Sequence, residues 1–253
     1  MSAGSWIALL AAAGFSEVVG TMAGFGAATV FTPLAMLFFE PKTAIALVAV
    51  FHLFGTGSRL LFFGRHIDWR LWVPFGFTGL AGSWLGASIA TRLSSAAMEL
   101  LVGGFLLLYA AGDRLLSSRV RLPAAQPTLL FGGAASGLIA GVLGTGGTVR
   151  AVCLLAFGLP QAAYLGTSAA LALLVDATRV PVYVMHGWIP TALIPVLISL
   201  APVAFSAAWA GQRMVRRLSP ELFHLFILLV LTLMGLRLIL QGWHHLAPAV
   251  GIS

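Results

Sequence analysis

The chain has 253 residues, 60% of them hydrophobic and only 8% charged, with a formal net charge of +7 and a mean hydropathy of +1.01. A soluble domain carries about 25% charged residues, so an ordinary soluble globule is excluded. The basic residues sit in short clusters between apolar segments, as membrane topology signals do, and no aromatic-basic interleaving or nucleic-acid motif accompanies them.

Runs 71–91, 127–149 and 188–212 contain no charged residue, and each reaches the roughly 20 residues that a helix needs to cross a bilayer. Period-2 alternation is absent, which argues against a membrane β-barrel. The pattern predicts an all-α polytopic membrane protein. The N-terminal segment lacks a basic n-region and runs straight into further apolar sequence, so it reads as a retained membrane segment. Predicted elements in chain order are 5–22, 27–39, 42–63, 71–91 and 97–113, then 127–143, 147–159, 161–185, 188–211 and 220–241. The single cysteine, Cys153, has no intrachain partner and reads as a small packing residue.

The ten elements form two copies of one unit. A shift of 120 residues places Gly24 and Gly26 on Gly144 and Gly146, Arg59 on Arg179, and His66 on His186. With one-residue slips Pro41 meets Pro160, and Trp69 meets Trp188. The first repeat is 1–116, the second 127–253, and a charged cytoplasmic linker, 117–126, divides them.

Positive charges test the topology. If each glycine cluster were a kink, the loops would split Lys and Arg evenly, five against five. If the chain turns back there, Arg65, Arg70, Arg114, Arg119, Arg121, Arg213, Arg216 and Arg217 share one side, and Lys42 and Arg92 face them. That excess is what the positive-inside rule expects. Each repeat is therefore predicted to be a glycine-tipped helical hairpin plus three transmembrane helices. The second repeat is inverted relative to the first, and both termini are extracytoplasmic. Inverted repeats with interrupted helices around a midplane site describe many secondary transporters.

The short segments begin at the tips, where a helix N-terminus presents unpaired N–H groups and about half a positive charge. Two such ends could cradle an anion, which makes Gly24, Gly26, Ala27, Gly144, Thr145, Gly146 and Gly147 candidate substrate contacts. Gly82 and Gly86 read instead as helix-packing residues. Arg150 adds a guanidinium suited to an oxyanion; its other reading is a structural arginine paired with Glu17 or with carbonyls. Arg59 and Arg179 are candidates for guiding an anion at the two mouths, with snorkelling to the interface as the alternative. Asp176, three residues before Arg179, is placed for a same-face ion pair. Glu17 and Asp176 are the acids well inside apolar segments and the candidates for carrying a coupling proton. Glu40, Glu99, Asp113 and Glu221 read as surface residues, and His52, His66, His186, His224, His244 and His245 as interfacial or isolated.

A glycine cluster at 24–27 and 144–147, followed about 15 residues later by a proline-led helix that opens LPQAAYLGTSAA in the second copy, resembles the sulfite exporter TauE/SafE family of membrane transporters. The likeness covers nearly the whole chain. It implies transport of sulfite or sulfur-containing organic anions such as sulfonates, across a bacterial-type inner membrane. It supports roles for the glycine clusters, Pro33 and the Gly166–Thr167–Ser168 turn, with Thr148, Thr167 and Ser168 as hydroxyls that could complete coordination. Ala27, Ala28 and the run 46–48 depart from the pattern in the first copy.

The reading is thus a secondary transporter of small anions that works by alternating access. The alternatives are an anion channel and an intramembrane enzyme. The enzyme reading has little to stand on: Ser168 and His186 are about 27 Å apart by helical rise, and no HExxH or CxxC motif is present. No cofactor or metal is expected. The expected partners are the solute and the bilayer, with transport either coupled to a proton or driven by the anion's own gradient; glycines on lipid-facing helices suit either a homodimer or intrachain contacts.

Overall fold

The structure is a computed structural model that describes residues 2–24, 26–116, 122–214 and 220–246. The charge-count residues Arg119, Arg121, Arg216 and Arg217 lie outside the described residues, as does most of the linker's first half. So do the side chains of Asp113, Arg114, Glu221 and His224.

The described residues form ten α-helices and no strand: α1 Ala3–Ala23, α2 Ala27–Ala35, α3 Pro41–Phe63, α4 Trp69–Arg92, α5 Ser95–Leu116, α6 Gln126–Leu143, α7 Gly147–Leu155, α8 Gln161–Met185, α9 Ile194–Met214 and α10 Pro220–Leu246. Local chemistry sets several starts. Ser2 Oγ accepts from the Ser5 amide at 3.2 Å, and Asp68 Oδ1 accepts from the Arg70 amide at 3.0 Å; both satisfy otherwise orphaned donors. Proline opens α3 and α6, where its missing N–H costs nothing.

Among the described residues, seven helices are long and apolar enough to cross a membrane: α1, α3, α5, α6, α8, α9 and α10. The chain is a multi-pass membrane protein. With 24 residues, α4 is about 36 Å long, but its glycines, tryptophans and small polar residues lower its hydropathy.

Those glycines have a packing cause. A Cβ at Gly82 would run into the Ala134 carbonyl, one at Gly86 into the Leu138 carbonyl, and one at Gly137 into the Gly79 carbonyl. The backbones of α4 and α6 therefore touch along a reciprocal glycine seam, which confirms the expectation for Gly82 and Gly86. Lipid tails are as apolar as leucine, so close van der Waals contact supplies the attraction between such helices. Elsewhere α4 also packs on α8, while α9 packs on α1 and α3, and α5 on α10. Cys153 is a free, buried thiol in the smaller apolar cluster with Phe75, Leu129 and Leu154.

Several boundaries differ from expectation, among them the end of α10, which runs on to Leu246. Helices α2 and α7 end at Ala35 and Leu155, and the apolar residues beyond continue as turns. Trp188 folds back so that its ring stacks on Tyr183 at 4.6 Å and 7°. Pro190 then leads into a 3-10 turn, Thr191–Leu193, which delays α9 to Ile194.

Candidate functional site

Both glycine clusters reverse the chain. Gly24 (φ 75°) and Gly144 (φ 79°) terminate α1 and α6 in the left-handed region, where a Cβ costs about 1–2 kcal/mol. Past the first bend the chain lies back on α1: a Cβ at Gly20 would come within 2.8 Å of the Ala27 nitrogen. Past the second, a Cβ at Gly146 would collide with the Ser136 carbonyl, and Ser136 Oγ donates to the Gly146 carbonyl at 2.8 Å. The clusters are thus hairpin tips, and α2 and α7 start at them.

The two tips meet. Thr29, in the first turn of α2, hydrogen-bonds through its hydroxyl to that of Thr145 in the second bend. A Cβ at Gly144 would stand 3.2 Å from Thr32 Oγ1 and 3.3 Å from Ile45 of α3. At the other tip, a Cβ at Gly24 would meet Leu165 at 2.8 Å and Tyr164 closer still, and the Gly24 carbonyl accepts from Ser168 Oγ at 3.1 Å. Each bend therefore rests on the long helix that follows the other bend.

Arg150, the fourth residue of α7, is 3% exposed. Its Nε donates to Ser168 Oγ at 3.1 Å, and Ser168 passes the contact on to Gly24. Among the described residues no carboxylate pairs with it, so the Glu17 pairing weighed from the sequence is not formed. The remaining hydroxyls are not tied to their own helices. Thr167 Oγ1 accepts from the Asp68 amide at 2.9 Å, whereas Thr148 Oγ1, Thr32 Oγ1 and the Tyr164 hydroxyl are buried without a hydrogen-bond partner.

Beside this site runs a chain of buried charges. Thr21 Oγ1 donates to Glu17 Oε1 at 3.3 Å, and Arg59 Nη2 lies 3.3 Å from the same oxygen. Arg59 Nη2 also stands 3.5 Å from His52 Nε2, and His52 Nδ1 is 2.6 Å from Asp176 Oδ2. Asp176 Oδ1 accepts from Arg179 Nε at 2.8 Å, and Arg179 Nη1 donates to the Ala140 carbonyl at 2.7 Å. Tyr183 closes the series by donating to the Gly141 carbonyl at 2.6 Å. The run ties α1 and α3 to α8 and α6.

Several expectations change here. Arg59 does not snorkel: it sits one turn from the end of α3 but is buried and ion-paired inward. Arg179 is equally enclosed, in the same-face pair expected with Asp176. Glu99 is not a surface residue; it is 2% exposed and lies 2.9 Å from His245 Nδ1 of α10. His52 is neither interfacial nor isolated, though its place was legible: seven residues before Arg59, it shares that arginine's helix face. Tyr164 and Thr29 carried no comparable signal. A cavity of about 480 Å³ between α5 and α10, lined by Leu107, Ala110, Leu228 and Thr232, is apolar and lies apart from these charges.

A model of the family described as sulfite exporter TauE/SafE matches residues 8–238. The chain belongs to that family. As a TauE/SafE protein it is a membrane transporter of sulfite or related anions; members of the family are transporters, not enzymes. No curated protein and no solved structure matches it.

Proposed function

We propose that the chain is a secondary carrier of small oxyanions, sulfite or a sulfonate, that binds its solute between the two hairpin tips. Arg150 carries this reading. Among the described residues, the buried ionic side chains around the tips are Glu17 and Asp176 against Arg59, Arg150 and Arg179. Two of the arginines have carboxylate partners, so two negative charges stand against three positive ones, and Arg150 is the one left over. An uncompensated charge away from water is expensive, and a bound anion would compensate it. The start of α7, the partnerless hydroxyls of Thr148 and Tyr164, and the backbone at Gly24, Gly26 and Ala27 would complete the cradle.

Transport would proceed by alternating access between inverted repeats 1–116 and 127–253, in a bacterial-type inner membrane with both termini extracytoplasmic. The helix pairs support the repeat: α4 on α6 and α9 on α1 are equivalent under the 120-residue shift, as are α4 on α8 and α9 on α3.

Arg150→Gln in proteoliposomes tests the site. A charge-assisted hydrogen bond contributes about 1.5–3 kcal/mol, so half-saturation for radiolabelled sulfite in counterflow should rise about 10- to 100-fold. A folded variant with unchanged half-saturation removes Arg150 from the binding role and the reading with it.

A further inference from the structure

The charge chain contains one imidazole, and nothing in the solute site accounts for it. His52 is buried on α3, 6% exposed, and both ring nitrogens face ionic partners. Nδ1 faces Asp176 of α8 at 2.6 Å; Nε2 faces Arg59 at 3.5 Å. Glu17 of α1 and Arg179 of α8 stand behind those partners, and among the described residues these four are the charged groups around the ring. A guanidinium only donates, so Nε2 is the acceptor and the ring proton sits on Nδ1, donated to Asp176. In this arrangement His52 is neutral.

We propose that His52 is the proton-binding site of the carrier and couples proton movement to the solute. Nε2 takes one proton from water on one side of the membrane, giving an imidazolium, and returns it to water on the other. Protonation turns Nε2 from acceptor to donor while it faces Arg59, so that contact must open. Asp176 then holds a full imidazolium beside Arg179. The contact that opens lies within α3, next to the His52–Asp176 pair that joins α3 of one repeat to α8 of the other, so the charge change falls on a seam that alternating access must rearrange. Charge arithmetic sets the direction. With neutral His52 the buried set carries one net positive charge and matches a singly charged oxyanion; with protonated His52 it carries two and matches a doubly charged one, such as fully ionised sulfite. Arg150 lies within electrostatic reach of Asp176, Arg59 and Arg179, and Glu17 within reach of His52, so the two sites share one field. The proton and the solute's second charge travel together, in the same direction.

This inference rests on the anion-carrier reading, and His52→Gln separates the two. Radiolabelled sulfite is followed in proteoliposomes in counterflow at equal pH. Accumulation driven by an imposed pH gradient at clamped voltage is then followed with radiolabelled sulfate, at concentrations that compete with sulfite in counterflow. Sulfate stays doubly charged throughout this pH range, so the solute itself carries no proton and any response to the gradient belongs to the protein. The wild type should accumulate sulfate on the alkaline side of the gradient. The variant should keep sulfite counterflow and hold sulfate at the level reached without a gradient. A wild type indifferent to the gradient, or a variant that still responds, overturns the proposal, while loss of counterflow on Arg150→Gln speaks only to the carrier reading. If His52→Gln abolishes counterflow as well, nitrogen NMR of the histidines decides, with the His52 signal assigned by its absence from the variant. A ring that changes protonation between about pH 5 and 8, with a midpoint displaced by sulfite, upholds the proposal. A ring fixed in one state overturns it.

Discussion

The two hairpins share a backbone and differ in chemistry. Gly24 and Gly144 cap their helices with nearly the same dihedral angles, and the nine-residue α2 and α7 follow at the same distance. The first bend then continues with Ala27, Ala28, Thr29 and Val30, the second with Gly147, Thr148, Val149 and Arg150. One tip thus offers backbone and a single hydroxyl; the other offers a fixed charge. The asymmetry continues outward. Arg59 is neutralised by Glu17 from a different helix, Arg179 by Asp176 from its own. A charge at one hairpin needs no counterpart at the other, so under the proposed binding mode a solute held by Arg150 would lie closer to the second tip than to the first.

Four substitutions probe that contrast. Asp176→Asn should have the largest effect, because it leaves Arg179 unpaired and removes the acceptor of His52. Breaking a buried pair costs about 3–5 kcal/mol, read as a large loss of thermal stability in detergent. The second glycine of each tip comes next. Gly146→Ala drives a methyl group into the Ser136 carbonyl and should cost about 3 kcal/mol, the upper end of overpacking. Gly26→Ala meets open space, and only its φ of 93° opposes it, so about 1–2 kcal/mol is expected. Equal losses at the two positions would deny that the second bend is the tighter one. Thr29→Val should be mildest, about 1 kcal/mol, since it removes one hydrogen bond between the tips; its thermal shift should largely vanish in a Thr145→Val background.

Spans and bends were legible because a bilayer imposes them through composition. Uncharged runs of helical length and doubled glycine clusters need no partner to be recognised. The ends of α2 and α7 were not legible, since Met36–Leu37–Phe38 is as apolar in a turn as in a helix. Arg59 was misjudged for a different reason. An arginine one turn from a helix end can reach either outward or inward, and Gly55 decides: a Cβ there would overlap the Glu17 carboxylate, so glycine opens the inward route. No single-chain pattern connects residues 17 and 55. Glu99 was misplaced likewise, because closeness to a helix end says nothing of what covers it, and α10 lies far along the chain. The glycines and the arginine of the proposed site could be named from the sequence as candidates. The network through His52 depends on α3 meeting α8, and sequence spacing does not encode that meeting.

The glycine seam between α4 and α6 bears on how the halves move. Backbones that interlock so closely shear only by lifting apart, so α4 should travel with the second hairpin although the chain order assigns it to the first. Where α9 lies on α1, a Cβ at Gly211 would come within 3.0 Å of the Val18 carbonyl, which puts α9 with the opposite hairpin. The mechanical units would then be two composite bodies, each having exchanged one helix with the other, with the α3–α8 seam still on the surface where they glide.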